Sequence, residues 1–430
     1  MRNENCHIAF VLSSFFPDRS AGTERYVYNL AKGLLDKGFQ VSIVIPTTEK
    51  KEPYVYRDIR VYPYQVNKKI DLKEEYSFKG FTGRTEFMQI MDEIQPKIVH
   101  FHTILSRTIP VSLALELSKK GTEVLVTPHL GGFFCLQGDF QEKGKKACDG
   151  AVSWRRCGSC YFGSRNPVLD PVFELAPKEL LSRFFSLFGK GGLVSMKRET
   201  DLKALRESNI QFVAIAHWIQ KVFLANQFKD VHLISQGIAA SKSENNARTV
   251  SQKLHLLFVG RLNPSKGLDI LLTALESLKI RRDFDIQCLV IPDPTEMNYL
   301  SEMKSKVEAL GGKWAENADV KEVGVAMAEN DVLVVPSRSN EMAPLVILEA
   351  IQHTLPVLGS TYPAVQEMIS ENSAGWLFNN GDIQDLRRML LGLLEDKKKV
   401  AEVRNQLKPV RNTQNVVEDH MKVYHKILEQ

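Results

Sequence analysis

Short continuous apolar runs alternate with amphipathic stretches along most of this chain. HIAFVLSSFF at 7–16, FQVSIVIP at 39–46, KIVHFHT at 97–103, TEVLVTPH at 122–129, IQFVAIAH at 210–217 and VHLISQG at 231–237 read as strands buried on both faces of a sheet. Most are separated by helical stretches, such as 24–37, which Gly38 stops. The rhythm breaks at AASKSENNARTVSQ, 239–252, which has almost no large apolar residue, and then restarts with LHLLFVG, FDIQCLVI, DVLVVP and LPVLGS. Alternation of this kind predicts an α/β fold of two doubly wound, Rossmann-like domains facing across a cleft, with ligands at the carboxyl ends of the strands. The expected division is a first domain at 1–238, a linker at 239–252, a second domain at 253–412, and a segment 413–430 whose helical pattern at 416–428 crosses back to the first domain.

Composition narrows the class without naming it. Apolar residues make up 43% of the 430 and charged residues 25%, the balance of an ordinary globular protein, which excludes disorder and coiled coil. The net charge of +5 comes without an arginine-rich stripe, so no nucleic-acid partner is expected. No uninterrupted apolar stretch approaches the length of a membrane span, and Glu4 ahead of the first apolar run argues against a signal peptide. The expected location is cytoplasmic.

The most chemistry-laden segment is 331–360, where Glu341 and Glu349 stand eight positions apart across a strand-to-helix junction. A helix opening near Pro344 would leave the amides of Leu345 and Val346 free to meet an anion, and a diphosphate would fit there. The two carboxylates would then reach different parts of one bound molecule, a sugar ring and a ribose. After the first strand of the second domain, Arg261 and Lys266 sit on a loop bracketed by Gly260 and Gly267. A charge-assisted hydrogen bond contributes about 1.5 to 3 kcal/mol, and a departing diphosphate would draw more from two preplaced cations.

These motifs together resemble the family 4 glycosyltransferases, retaining enzymes of the two-domain GT-B fold. The likeness rests on R-x4-K in GRLNPSKG, on P-S-x3-E-x7-E in PSRSNEMAPLVILE and on Pro356-Val357 after the helix, and it spans nearly the whole chain. It implies that Arg261 and Lys266 bind the donor diphosphate, Glu341 the donor sugar and Glu349 the nucleotide ribose. Gly22 stands where the family's glycine-rich loop approaches the diphosphate, although Ala21 replaces the usual first glycine. TPH at 127–129 resembles the family's T-x-H, which makes His129 a candidate for the reaction centre. Retention by front-face attack asks for cations on the leaving group and no carboxylate nucleophile, so no catalytic metal is expected. The implied partners are a nucleotide-sugar donor and a glycan or lipid-linked acceptor.

Cys135, Cys148, Cys157 and Cys160 fall within 26 positions, spaced C-x12-C-x8-C-x2-C. In a reducing compartment four thiolates point to a structural zinc, and an iron-sulfur cluster uses the same ligand set. Some members of the resembled family carry a similar cysteine-rich insertion. Little periodic apolar content is evident there, and structural zinc in small sites contributes roughly 10 to 16 kcal/mol. Residues 166–193, with Phe184, Phe185, Leu187 and Phe188 beside Arg183 and Lys190, have the composition of an interfacial helix and equally of one packed on a core. The first reading implies peripheral contact with the inner face of the membrane. Pro292 and Pro294 replace the family's glycine-rich turn beside the nucleotide, which leaves UDP, GDP and ADP sugars all open. Two other functions share the architecture: a catalytically silent relative whose metal-held loop binds a partner, and a nucleotide-sugar epimerase.

Overall fold

A computed structural model describes residues 6–19, 21–67, 81–105, 107–163, 190–239, 252–278 and 283–429. The interfacial-helix reading of 166–193 and the linker at 239–252 fall mostly outside them. The strands are β1 (His7–Val11), β2 (Gln40–Thr47), β3 (Tyr54–Tyr56), β4 (Ile59–Gln65), β5 (Ile98–Phe101), β6 (Glu123–Val126), β7 (Gln141–Glu142), β8 (Lys146–Ala147), β9 (Gln211–Ala214), β10 (Val231–Leu233), β11 (Leu254–Leu262), β12 (Phe284–Pro292), β13 (Lys313–Glu316), β14 (Val332–Val335), β15 (Val357–Ser360) and β16 (Gly375–Phe378). The chain forms two compact units, Met1–Gln236 with Thr413–Gln430, and Gly237–Asn412.

The first unit is built on a sheet of order β10-β9-β6-β5-β1-β2-β4-β3, parallel except for the antiparallel β3–β4 edge. Its core gathers Phe10, Ile43 and Leu125 from the sheet, Val27 and Leu30 from the helix Gly22–Asp36, and Val417 and Tyr424 from the helix Thr413–Leu428. Those two helices approach closely at a glycine. A Cβ on Gly33 would lie 2.4 Å from Val417 Cγ2, so any side chain there must displace its neighbour.

The second unit is a parallel sheet of order β13-β12-β11-β14-β15-β16. Alternate residues of β11 enter different cores: Leu256 and Phe258 pack on one face of the sheet, Leu257 on the other. Burial on both faces is why this strand reads as an unbroken apolar run.

The α/β, parallel-sheet expectation holds for both units, with local differences. β1 ends at Val11, although Leu12 and Phe15 beyond it stay in the core. β4 is not among the apolar runs read from the sequence; Pro63 sits within it, opposite Ile45 of β2. β13, KWAE, is a mostly exposed edge with no apolar face to detect. Pro344 is the N-cap of the helix Leu345–Gln352 rather than its first residue, a shift of one position.

Candidate functional site

In the second unit two loops meet because β11 and β14 are neighbours. After β11 the chain makes a 3₁₀ turn, Pro264–Lys266, opened by the Asn263 side chain, which accepts from the Ser265 amide at 3.1 Å, and closed by Gly267 at φ 71°. A Cβ on Gly267 would stand 1.9 Å from the Pro336 carbonyl oxygen, so only glycine lets the two loops touch. The Arg338 amide donates to the Ser265 carbonyl at 2.7 Å and joins them again.

That seam brings Lys266 and Glu341 together across 75 residues of sequence. Lys266 Nζ lies 2.5 Å from Glu341 Oε2, and Ser337 Oγ donates to Glu341 Oε1 at 2.7 Å. Both partners are roughly a quarter exposed, 27% and 21% by side chain, so the pair remains open to solvent and to a ligand. Beside it, the helix Leu345–Gln352 presents its first two amides, those of Leu345 and Val346, which have no carbonyl a turn earlier in the helix to bond. Glu349 sits on the second turn of that helix, partly buried.

Arg261 lies near the carboxyl end of β11, exposed, within electrostatic reach of Asp293 on the loop after β12. Hydrogen bonds from Thr295 hold the Asp293 carboxyl below the usual carboxylate range, and the Arg261 charge adds to them. Sequence reasoning missed a second layer behind these residues. Arg338 pairs with Asp269, whose other oxygen accepts from the Tyr299 hydroxyl at 2.9 Å, tying the β14 loop to the helices Leu268–Glu276 and Met297–Ala309. Arg338 lies inside the quoted P-S-x3-E pattern, but at one of its variable positions.

In the first unit Gly22 opens the helix Gly22–Asp36, exposed after the N-cap Ala21. Alanine has no capping oxygen, and the buried Glu24 serves instead: its carboxylate accepts from the Ala21 amide at 3.1 Å and from Ser14 Oγ at 2.5 Å.

His129 belongs to a buried cluster that sequence spacing only half disclosed. His100 and His102 lie on one face, as their spacing implies, with ring centroids 4.0 Å apart. His102 Nδ1 and His129 Nε2 share a hydrogen bond of 3.1 Å. His100 bonds Thr127 Oγ1 at 2.7 Å and the Tyr424 hydroxyl at 2.8 Å, while the Tyr26 hydroxyl bonds His420 Nε2 at 2.8 Å. Burial pushes His129 down to about 3 and drives His100 and His102 well below the ordinary histidine range, so all three are neutral at pH 7. Tyr424 and His420 reach the cluster from the helix Thr413–Leu428, more than 300 positions beyond β5, and no local motif announces them.

The four clustered cysteines follow directly on from this region, and all line one small cavity. Little periodic apolar content implies that burial would not order this segment, yet burial anchors it. Phe134 packs edge-on to Phe223 and Phe140 to Trp218, both partners on the helix His217–Ala225, while Asn226 Nδ2 donates to the Gly150 carbonyl at 2.9 Å. Irregular spacing of these aromatics hid them from a search for periodicity. Burial raises the Cys135 and Cys148 thiols and pushes Cys157 up to about 11. Among the described residues no three His, Cys, Asp or Glu side chains are arranged, as they stand, to hold a metal ion.

Two parallel α/β units, with polar groups gathered where their strands end, place the chain in the GT-B fold class of glycosyltransferases. Sucrose-phosphate synthase from Thermosynechococcus elongatus superposes with a TM-score of 0.67 at 15% identity, over 99% of this chain and 100% of that one. HepE from Anabaena, solved with UDP and glucose, gives 0.63 at 14% identity, over 99% and 100%. Sequence matching is more specific: residues 20–154 match Glycosyltransferase Family 4 and residues 241–409 match Glycosyl transferases group 1. Among curated relatives it is 32% identical over 142 residues to an uncharacterized 41.2 kDa protein in the cps region of Klebsiella pneumoniae, covering 33% of this chain and 37% of that one. It is 28% identical over 149 residues to the sulfoquinovosyl transferase SQD2 of Arabidopsis thaliana, covering 34% and 28%. With the amylovoran biosynthesis glycosyltransferase AmsK of Erwinia amylovora it shares 27% over 184 residues, covering 40% and 44%. The chain thus spans less than half the length of each of these relatives. No described helix is long and apolar enough to cross a membrane.

Proposed function

We propose that this chain transfers a hexosyl group from a nucleotide-diphosphate sugar to a glycan or lipid-linked acceptor, with retention of anomeric configuration, in the synthesis of a surface polysaccharide or glycoconjugate. The observation that carries this reading is the Lys266–Glu341 pair, about a quarter exposed beside the helix that begins at Leu345. A diphosphate arriving there meets a cation, two helix-terminal amides and the positive end of a helix dipole. Lys266 and Arg261 then neutralise the leaving group while Glu341, released from the ion pair, accepts hydrogen bonds from the sugar hydroxyls, and Glu349 binds the ribose. Gly22 lets the backbone approach the diphosphate.

The sugar C1–phosphate oxygen bond breaks, the acceptor oxygen bonds C1 on the same face, and the departing phosphate oxygen takes the acceptor proton. Positive charge builds on the sugar as this happens, and electrostatic preorganisation around it governs the rate. In this role a neutral His129 is suited to the task, because an imidazolium would oppose that charge. The relatives' names agree in kind: AmsK is named for amylovoran biosynthesis, and HepE was solved with UDP-glucose.

Incubating the full chain with UDP-, GDP- and ADP-sugars and a pool of acceptors, and reading the product anomer by proton NMR, tests the proposal. One donor should give a product with the donor's own configuration. An inverted product would remove the retaining mechanism; epimerised donor without transfer, or no turnover of any donor, would remove the transferase reading.

A further inference from the structure

We infer that Cys135, Cys148, Cys157 and Cys160 bind one zinc ion as a tetrahedral four-thiolate site, which clasps the loop after β6 to the helix Trp154–Gly163. All four cysteines line the same cavity, about 30 Å³ in volume. Cys157 and Cys160 are three apart on the helix Trp154–Gly163 and so share a face. Cys135 precedes the β7–β8 hairpin and Cys148 directly follows it, so hairpin and helix supply two ligands each.

The backbone around the sulfurs is already shaped for thiolates. The Gly150 amide donates to Cys148 Sγ at 3.4 Å, and the Lys143 amide donates to Cys160 Sγ at 3.1 Å. Gln137 Nε2 adds a bond to Cys160 at 3.5 Å. Turns of this kind depend on left-handed backbone, and Gly138 (φ 80°), Phe140 (φ 51°), Lys143 (φ 54°), Gly144 (φ 70°) and Gly150 (φ 78°) all adopt it within sixteen residues of Cys135. N–H donors thus reach two of the four sulfurs, contacts that a metal-bound thiolate would keep.

Three of the thiols have oxygen acceptors close by. Cys135 and Cys148 point their protons at Asp139 and Asp149, each across 3.9 Å, and Cys160 points toward the Gln141 carbonyl at 3.5 Å. Binding one Zn²⁺ replaces four S–H bonds with four Zn–S bonds, releases four protons and leaves a net charge of −2, with the sulfurs exchanging their oxygen acceptors for the ion. Arg156, which spans Glu142 and Asp149, stands within electrostatic reach of Cys148 to balance that charge.

The test is metal analysis of the untagged full chain, purified reduced, beside Cys157→Ser/Cys160→Ser and Cys6→Ser variants. About one equivalent of zinc is expected in the wild type and in Cys6→Ser, with a loss of at least tenfold in the double variant. Exchange of the wild-type ion for cobalt(II) keeps the test independent of whether the double variant folds; it should give thiolate-to-cobalt charge transfer and the intense visible bands of a tetrahedral site. Less than about a tenth of an equivalent of zinc, iron with acid-labile sulfide, or cobalt spectra of an octahedral ion would each overturn the inference. None of these readouts depends on sugar transfer, so the site and the proposed function stand or fall separately.

Discussion

The two units share one architecture and handle charge in opposite ways. In the second, Lys266 and Glu341 meet as ions at a partly exposed junction of two loops. In the first, His100, His102 and His129 sit buried and neutral, bonded to each other, to a threonine and to a tyrosine. A parallel sheet collects polar side chains at its strand ends in either case, and the local dielectric then decides what they offer. Where water reaches, the loops offer charge to an anion; where it does not, the sheet offers hydrogen bonds without charge.

The sharpest way to break the comparison is to remove charge from the second unit. Lys266→Ala and Glu341→Ala should each lower kcat/KM for sugar transfer by roughly 10²–10³-fold, in line with loss of a preorganised electrostatic contact. Thermal midpoints should barely move, because solvent-accessible ion pairs contribute only about 0.2–1 kcal/mol. Near-wild-type turnover by both variants would show that the pair is structural.

Next in size is the seam that creates the junction. Gly267→Ala adds a Cβ 1.9 Å from the Pro336 oxygen at a left-handed φ of 71°, a contact between backbones that cannot yield by side-chain rotation. A destabilisation of about 3 kcal/mol is expected in urea unfolding, together with loss of transfer. Unchanged stability would mean that the two loops do not touch.

Acid should act on the first unit. Between pH 6.5 and about 3 an unfolded His129 binds a proton that the folded residue refuses, so the unfolded state carries more protons and stability falls as pH falls. For His129 alone the loss is about 2 kcal/mol from pH 6.5 to 5, and His100 and His102 act in the same direction. Thermal melts at pH 7.5 and 5 would check this; a midpoint that rises on acidification would contradict the buried, neutral cluster. The smallest effect belongs to Gly33→Ala. Its Cβ meets only the Val417 side chain, which can shift, so the expected cost is about 1 kcal/mol by thermal melt, and a neutral result would show that the two helices separate freely.

Legibility followed from how local each cause is. Strands buried on both faces, such as β11 and β14, were plain because burial writes itself into consecutive residues. β4 with its proline and the exposed edge β13 carry no such mark. The site shows the same division. Lys266, Glu341 and the helix start after Pro344 could be picked out as motifs, but that the lysine holds the glutamate depends on β11 and β14 being adjacent. Arg338–Asp269–Tyr299 behind them and Tyr424 and His420 beside His100 come from distant segments, so nothing in their neighbourhood reveals them. The cysteines were visible by spacing, whereas the aromatic anchors Phe134 and Phe140 follow no period and became visible only through their partners.

The central claim is that the partly exposed loops of the second unit bind a nucleoside diphosphate through Lys266. Calorimetric titration of UDP, GDP and ADP into the full chain and into Lys266→Ala tests it directly. The account predicts that one nucleotide binds the wild type with an affinity that falls as salt rises, and that the variant binds it at least tenfold more weakly. Equal binding by the two proteins, or no binding of any of the three, would contradict it.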